Sequence, residues 1–343
     1  MPRETATQKP GCLKYKGSED MKKIAFIGSG AIGSILGAFL TKGGADVILT
    51  DPYKEHMDKI AAEGLVVNYP NGDKENVKIK TAYSAEDIGI MDVVIVMTKT
   101  THTDSALEGA KNAIGPNTFV GTFQNGLGNP EKLLNYASAE KIFYGCLNVT
   151  SRILRPGEIL GNVFGEYNIF AGSMTESSEQ KELQQYLTET FAKGGVKYKY
   201  DNEADLHVWT KALLNISGNA LQGLVRLKPA VVAKDENYFT LLELVVDEVC
   251  AVAKAKGIVG LDGEKFMQTL RSVYTSDLAH HWSSTAQDML IGKRQTEIES
   301  LNGAIAKYGE ELGIDTPYNK MIYLATKVIE DHYEDQYQEN AAK

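Results

Sequence analysis

At 343 residues the chain is long enough for two domains of ordinary size, and 43% apolar with 24% charged residues is a globular composition. A formal net charge of −9 with no long basic patch excludes a nucleic-acid surface, and no apolar run approaches the roughly 20 residues of a membrane span. Cys12, Cys146 and Cys250 lie far apart without metal spacing and read as free thiols in a reducing cytoplasm.

In chain order, residues 1–20 have no periodicity and no apolar stretch of a signal peptide, and they read as a disordered extension. Met21–Gly28 is a short apolar strand running into Gly28-Ser-Gly30-Ala-Ile-Gly33. Ser34–Lys42 follows with helical spacing of Ile35, Leu36, Phe39 and Leu40. Ala45–Thr50 is a second buried strand, stopped by Asp51-Pro52. His56–Glu63 has helical character, and Leu65–Ala82 reads as a pair of strands around the Asn71-Gly72 turn. Asp92–Thr98 and Thr118–Phe123 are further apolar strands, ending at Lys99 and at Gln124-Asn125-Gly126. Gly145–Gly172 suggests more strands, Glu179–Phe191 a helix, and Val196–Tyr200 a last strand. Strands alternating with helices predict an α/β fold with a doubly wound parallel sheet over residues 21–201. From Asp205 onward long helical periods dominate, so the boundary is placed near Asp201 and residues 202–343 are read as a helical domain.

The glycine motif has its full context: it follows a strand, opens a helix, and precedes an acid at the end of the second strand. That is the pattern of a Rossmann-type dinucleotide site, with Gly28, Ser29, Gly30, Ala31, Ile32 and Gly33 around the pyrophosphate. The helix N-terminus supplies oriented N–H donors for phosphate. Asp51, 23 residues after Gly28, suits the ribose hydroxyls and repels a 2′-phosphate, which favours NAD(H) over NADP(H). Lys54 stays open as a partner for such a phosphate. Lys99 and Asn125 stand at the carboxyl ends of two strands, where open α/β sheets bind ligands.

Trp209–Leu224 reads as a helix that places Lys211, Asn215 and Asn219 at successive steps of four, each step drifting by only about 40°. Trp209, Ala212, Leu213, Leu214, Ile216, Ala220, Leu221 and Leu224 cover nearly every other direction. A helix apolar almost all round is buried, so the narrow polar stripe reads as the wall of a pocket for an anionic, oxygen-rich small molecule. The competing reading is an amphipathic helix whose stripe faces water. Thr296–Tyr308 reads as a second helix with Glu297 on the face of Leu301, Ala304, Ile305 and Tyr308 and Glu299 turned to water. A first-turn acid favoured by the helix dipole is the alternative for Glu297. A lysine and a carboxylate beside a nicotinamide suit carbonyl reduction: Lys211 stabilises the alkoxide and delivers the proton, and Glu297 holds the lysine or the substrate hydroxyl. Asn215, Asn219 and Ser284 would fix the substrate oxygens. The six histidines lack the spacing of a metal-ligand set, and none is expected to hold a metal.

From Met21 to about Glu330 these motifs, with Gln124-Asn-Gly-Leu-Gly128, Ser283-Ser284-x-x-Gln287-Asp288, Thr296-Glu-Ile298, Asn302-Gly303 and Leu312-Gly-Ile-x-Thr-Pro317, come in one order. In that order the chain resembles the ketopantoate reductases (2-dehydropantoate 2-reductases). The resemblance implies a Rossmann domain followed by an all-helical C-terminal domain like that of 6-phosphogluconate dehydrogenase, with the active site between them. It makes Lys211 the proton donor and Glu297 the acid that contacts cofactor and substrate. Lys99 and Asn125 become cofactor-side contacts, Asn125 also reaching the substrate, and Asn215, Asn219 and Ser284 substrate contacts. The chain departs from the family at Asp51-Pro52, where an arginine and NADP are usual. It also departs at Ala220, at Pro229, at Thr285-Ala286, and in a loop before Thr296 that is one residue longer. These departures leave the reaction type and put the substrate in question.

Three readings follow. The first is an NAD(P)H-dependent reductase that turns a 2-oxo acid, ketopantoate first, into a D-2-hydroxy acid. The second is an NAD-dependent D-2-hydroxyacid dehydrogenase of the mandelate type, to which Asp51 points. The third, a nucleotide-sensing regulator without chemistry, would tolerate loss of Lys211, Asn215 and Glu297, and all three are present. The expected partner is a small 2-oxo acid, with neither nucleic acid nor membrane, and a homodimer is compatible with all of this.

Overall fold

Short runs of β-branched and aliphatic residues, buried on both faces, form the centre of the molecule. In the computed structural model, residues 21–336 are described; the expected extension over 1–20, with Cys12, lies outside the described residues, as do 337–343 of the polar tail. The strands are β1 (Lys23–Ile27), β2 (Asp46–Thr50), β3 (Leu65–Asn68), β4 (Lys74–Val77), β5 (Lys80–Ala82), β6 (Val93–Val96) and β7 (Phe119–Thr122). After them come β8 (Ile142–Leu147), β9 (Val149–Arg155), β10 (Glu158–Val163), β11 (Ile169–Ser173) and β12 (Tyr198–Tyr200). The helices of the first half are α1 (Ala31–Lys42), α2 (Lys54–Glu63), α3 (Thr103–Gly109), α4 (Asn129–Leu133) and α5 (Ser178–Lys193).

One eight-stranded sheet runs in the order β12-β11-β8-β7-β6-β1-β2-β5. Its pairs are parallel except β11 with β8. The expected parallel sheet is therefore mixed: after β9 and β10 the chain returns against β8 in the opposite direction. The second, four-stranded sheet, β4-β3-β10-β9, lies against α1. Leu65–Ala82, expected as two strands, holds three. β3 and β4 form the hairpin across Asn71-Gly72, with Gly72 at φ +91°, while β5 joins the main sheet beside β2. Strand order reverses at β1, which pairs β2 on one side and β6 on the other. The carboxyl ends of β1 and β6 thus flank the crevice where such sheets take ligands.

Every described element after β12 is helical: α6 (Ala204–Val225), α7 (Pro229–Val232), α8 (Glu236–Ala255), α9 (Gly263–Tyr274), α10 (Ser284–Gln287), α11 (Asn302–Leu312) and α12 (Pro317–Asp331). α6 runs through the middle, against β8 and β11 on one side and α8, α10 and α12 on the other. Its Trp209, Ala212, Leu213, Ile216, Ala220 and Leu221 are buried with Phe239, Val249 and Ile305 in one apolar cluster. Phe26, Ile35, Leu36, Leu49 and Phe143 anchor a second cluster on one face of the large sheet. Phe26 has no exposed surface, so its truncation to alanine costs about 3–5 kcal/mol. No helix among the described residues is long and apolar enough to cross a membrane.

Candidate active site

The glycine turn is shaped by close backbone approaches. Gly28 has φ +89°, and a Cβ there would stand 2.5 Å from the Thr98 amide nitrogen. A Cβ on Gly33 would stand 2.3 Å from the Gly28 carbonyl oxygen, so this glycine lets α1 seat directly on the turn. Gly30 differs, because a Cβ there meets nothing of the chain within 4 Å. The space before the α1 N-terminus is open where a pyrophosphate would approach, and the cap glycine brings no side chain to the first-turn N–H groups. The residues therefore fit a dinucleotide.

The turn is tied to the second strand. Gly28 and Ser29 both donate their N–H to the Thr50 carbonyl at 3.0 Å, and Asp51 follows at once. One Asp51 oxygen accepts the Tyr53 N–H at 2.9 Å, a local turn that aims the carboxylate beside the glycine loop. Lys54 is exposed, its ammonium 5.5 Å over the Tyr83 ring.

At the ends of β6 and β7 the helical half closes on the sheet. The Thr100 N–H donates to Glu297 Oε1 at 3.1 Å, the Thr100 and Ser300 hydroxyls lie 3.2 Å apart, and the Leu127 N–H donates to the Ser300 carbonyl at 2.7 Å. A Cβ on Gly126 would stand 2.5 Å from Ser300 Oγ, so only glycine allows this approach. Burial raises the Glu297 carboxyl above its usual range; the Thr100 amide and the Lys99 charge oppose that shift, and the Asp288 charge adds to it. Lys99 is ion-paired with buried Asp288, whose other oxygen takes the Arg294 guanidinium through Nε and Nη2 at 2.6 Å each. Asn125 is exposed in the same loop cluster, its backbone carbonyl accepting from Asn129 at 3.0 Å.

The stripe on α6 is as the spacing predicts. Lys211, Asn215 and Asn219 are partly exposed while their neighbours are buried, Leu214 at 38% exposure and Leu224 apart. The Asn219 amide donates to Asn215 Oδ1 at 3.2 Å, so the Asn215 oxygen is an acceptor within the stripe and its NH2 group is the donor end. Burial lowers the Lys211 pKa, and the Cys146 thiol on β8 is its near neighbour. That thiol is itself pushed up to about 11 by burial, so it stands beside the ammonium in its neutral form. Among the described residues no carboxylate forms an ion pair with Lys211. Ser283 caps α10 and donates to the Asn219 carbonyl at 3.1 Å, which sets the exposed Ser284 beside the end of the stripe.

Two expectations need correction. Thr296–Tyr308 is not one helix: Glu297 precedes a tight turn at Ile298–Ser300, and α11 starts only at Asn302. The strand-end loops need that turn, because Ser300 must reach Gly126 and Leu127. Glu297 also does not hold Lys211; its partner is the Thr100 amide. Glu299 is exposed as expected, and it pairs with Lys327 at 3.4 Å. Sequence reasoning gave no site role to Thr100, Cys146, Arg294, Ser300 or the buried Asp288. Asp288 entered only as the last residue of the Ser283-Ser284-x-x-Gln287-Asp288 motif. A π turn at Asp288–Gly292, followed by Lys293 at φ +44°, folds Arg294 back onto it. His281 is exposed. Asp201, Glu203 and His207 gather their donor atoms within 4.8 Å, but Lys199 already neutralises Asp201 at 2.6 Å.

Comparison with known proteins places these features among relatives. A family model described as "Ketopantoate reductase PanE/ApbA" matches residues 24–176, and one described as "Ketopantoate reductase PanE/ApbA C terminal" matches 203–330. The 2-dehydropantoate 2-reductase of Streptococcus pyogenes serotype M1 is 30% identical over 300 residues, 87% of this chain and 95% of that protein. Among solved structures, a PanE/ApbA family ketopantoate reductase from Ralstonia eutropha JMP134 superposes with a TM-score of 0.80 at 27% identity, covering 91% of this chain and 99% of that one. A ternary structure of D-mandelate dehydrogenase with NADH and anilino(oxo)acetate gives a TM-score of 0.80 at 26% identity, covering 90% and 98%.

Proposed function

Because this chain belongs to the ketopantoate reductase family and is an NAD(P)-dependent oxidoreductase, we propose that it reduces a 2-oxo acid to its D-2-hydroxy acid, with ketopantoate the first substrate to consider. The observation that carries the reading is Lys211: an ammonium sunk in the α6 wall, without a carboxylate partner among the described residues, in one stripe with the hydrogen-bonded amides of Asn215 and Asn219. A substrate carbonyl oxygen and carboxylate would supply the missing negative partners.

The reduced nicotinamide supplies the hydride when bound. Lys211 hydrogen-bonds the carbonyl oxygen, stabilises the charge that develops there, and gives its proton to that oxygen. Its lowered pKa brings proton release closer to neutral pH. Asn215, Asn219 and Ser284 orient the substrate carboxylate and hydroxyl groups, and Asn125 reaches in from the strand side. Glu297, fixed on the Thr100 amide, lies where cofactor and substrate meet, and its raised pKa lets it share a proton with a substrate hydroxyl. Lys99, steadied by Asp288, faces the cofactor. We assign Asp51 to the ribose hydroxyls, favouring NADH, and place the boundary between the cofactor part and the helical part near Asp201.

The mandelate-type reading is favoured by one residue, Asp51, together with the NADH-bound D-mandelate dehydrogenase of the same fold. Initial rates with ketopantoate, 2-oxoisovalerate, 2-oxoisocaproate and benzoylformate, each with NADH and NADPH, separate the two. Preference for ketopantoate supports the first reading; preference for the other acids with NADH supports the second. Binding of cofactor with no turnover of any acid would overturn both.

A further inference from the structure

Behind the glycine turn stands a histidine that the proposed reaction leaves without a role. His56, in the first turn of α2, is completely buried. Its Nδ1 accepts the Gly157 N–H at 2.9 Å, from the turn between β9 and β10. Its Nε2 lies 3.2 Å from Ser34 Oγ on α1, and that hydroxyl is 2.8 Å from the Ser29 carbonyl. These contacts admit only one arrangement of protons. The single Ser34 hydroxyl hydrogen goes to the Ser29 carbonyl, so Ser34 accepts from His56 Nε2–H, and Nδ1 carries no proton because it receives the Gly157 amide. The ring is neutral in this arrangement, as burial, outweighing the nearby Asp51 charge, also favours.

The relay ends on the Ser29–Gly30 peptide, at the N-terminus of α1. In a planar trans peptide the carbonyl and the next N–H point in opposite directions. Pinning the Ser29 carbonyl toward Ser34 therefore turns the Gly30 N–H the other way. The side-chain direction at Gly30 opens on empty space, where the pyrophosphate would lie. The same histidine fixes α2 against α1, and the ring of Tyr53, the residue whose backbone N–H holds Asp51, stacks on it at 5.9 Å. We propose that His56 is a positioning residue for the cofactor grip. Through Ser34 it orients the Ser29–Gly30 peptide, and through α2 it sets the spacing between the glycine turn and Asp51. This rests on the reading of that turn as the NAD(P)H site.

Two substitutions divide the ring's two bonds. His56→Gln places an amide N–H near the Nε2 position and keeps a donor for Ser34. His56→Asn keeps an acceptor near Nδ1 for Gly157 and drops Ser34. Ser34→Ala removes the relay from the other side. One neutral hydrogen bond corresponds to about a three- to tenfold change in an equilibrium. Titration of the full chain with NADH or NADPH, followed by cofactor fluorescence, should show His56→Asn and Ser34→Ala weakened by about that factor and His56→Gln within about twofold of the wild type. Melting temperature is read alongside, since both His56 variants disturb the same buried site. The inference is overturned if His56→Asn and Ser34→Ala bind like the wild type. It is also overturned if His56→Gln is as weak as His56→Asn, with affinity following the melting temperature. Wild-type protein that binds neither dinucleotide would overturn the cofactor reading and this inference with it, whereas tight wild-type binding matched by all three variants overturns the inference alone.

Discussion

The glycine turn and the α6 stripe, the two walls of the proposed site, are built on opposite principles. At the glycine turn the backbone is the proposed functional group, and part of it is tied down: Thr50 holds two N–H groups and Ser34 holds the Ser29 carbonyl, while no side chain caps the first turn of α1. On α6 the side chains are the functional groups, and they are left short of partners, with Lys211 unpaired by any carboxylate among the described residues. Under the proposed function, the contrast is that of a preorganised grip for the cofactor and an open polar stripe for the substrate. Mutations on the first wall should change cofactor affinity, and mutations on the second should change turnover and oxo-acid KM.

The largest effect is expected on the second wall, where Lys211 is proposed to carry the chemistry. Lys211→Ala should lower turnover by about 10² or more while the dissociation constant for NADH stays within about twofold, measured by steady-state rates and fluorescence titration. Equal losses in both would erase the division between the walls. Gly33→Val is the converse on the first wall. Its Cβ would meet the Gly28 carbonyl oxygen at 2.3 Å, so cofactor affinity should fall by tenfold or more, on the order of the 1–3 kcal/mol that overpacking costs. Loss of oxo-acid affinity alone would contradict that placement. Asp51→Ala should narrow the NADH preference over NADPH by about tenfold, which sharpens the comparison by separating ribose from phosphate contacts. An unchanged ratio removes Asp51 from the ribose. Smallest, Asn219→Ala should raise the oxo-acid KM several-fold, by about the 0.5–1.5 kcal/mol of one hydrogen bond, with the cofactor KM unmoved.

The first wall was legible because its determinants are local. Three glycines at fixed spacing, a strand before them and an acid after the next strand are all close in the chain. The α6 stripe was legible for the same reason, since i, i+4, i+8 spacing is a property of one helix. What stayed hidden is long-range. Lys99 and Asp288 are 189 residues apart, and Thr100 and Glu297 are 197 apart. Glu297 showed itself as an acid among apolar residues, but the separate turn at Ile298–Ser300 before α11 did not, because its contact is between Ser300 and Gly126, far apart in the chain. Arg294 carries no periodic signal at all, since a π turn and a left-handed Lys293 bring it back to Asp288. The third strand in Leu65–Ala82 was missed because three residues, Lys80–Ala82, are too few for an alternating pattern.

The measurement that bears most directly on the account is the pH dependence of turnover in both directions, 2-oxo acid reduction and 2-hydroxy acid oxidation, at saturating cofactor. Reduction needs Lys211 protonated and oxidation needs it neutral. Burial lowers its pKa below the ordinary 10.5, so reduction should fall and oxidation should rise across one shared pH range below that value. Limbs of the same sense in both directions, or reduction that holds constant up to the ordinary lysine pKa, would contradict Lys211 as the group that gives and takes the proton.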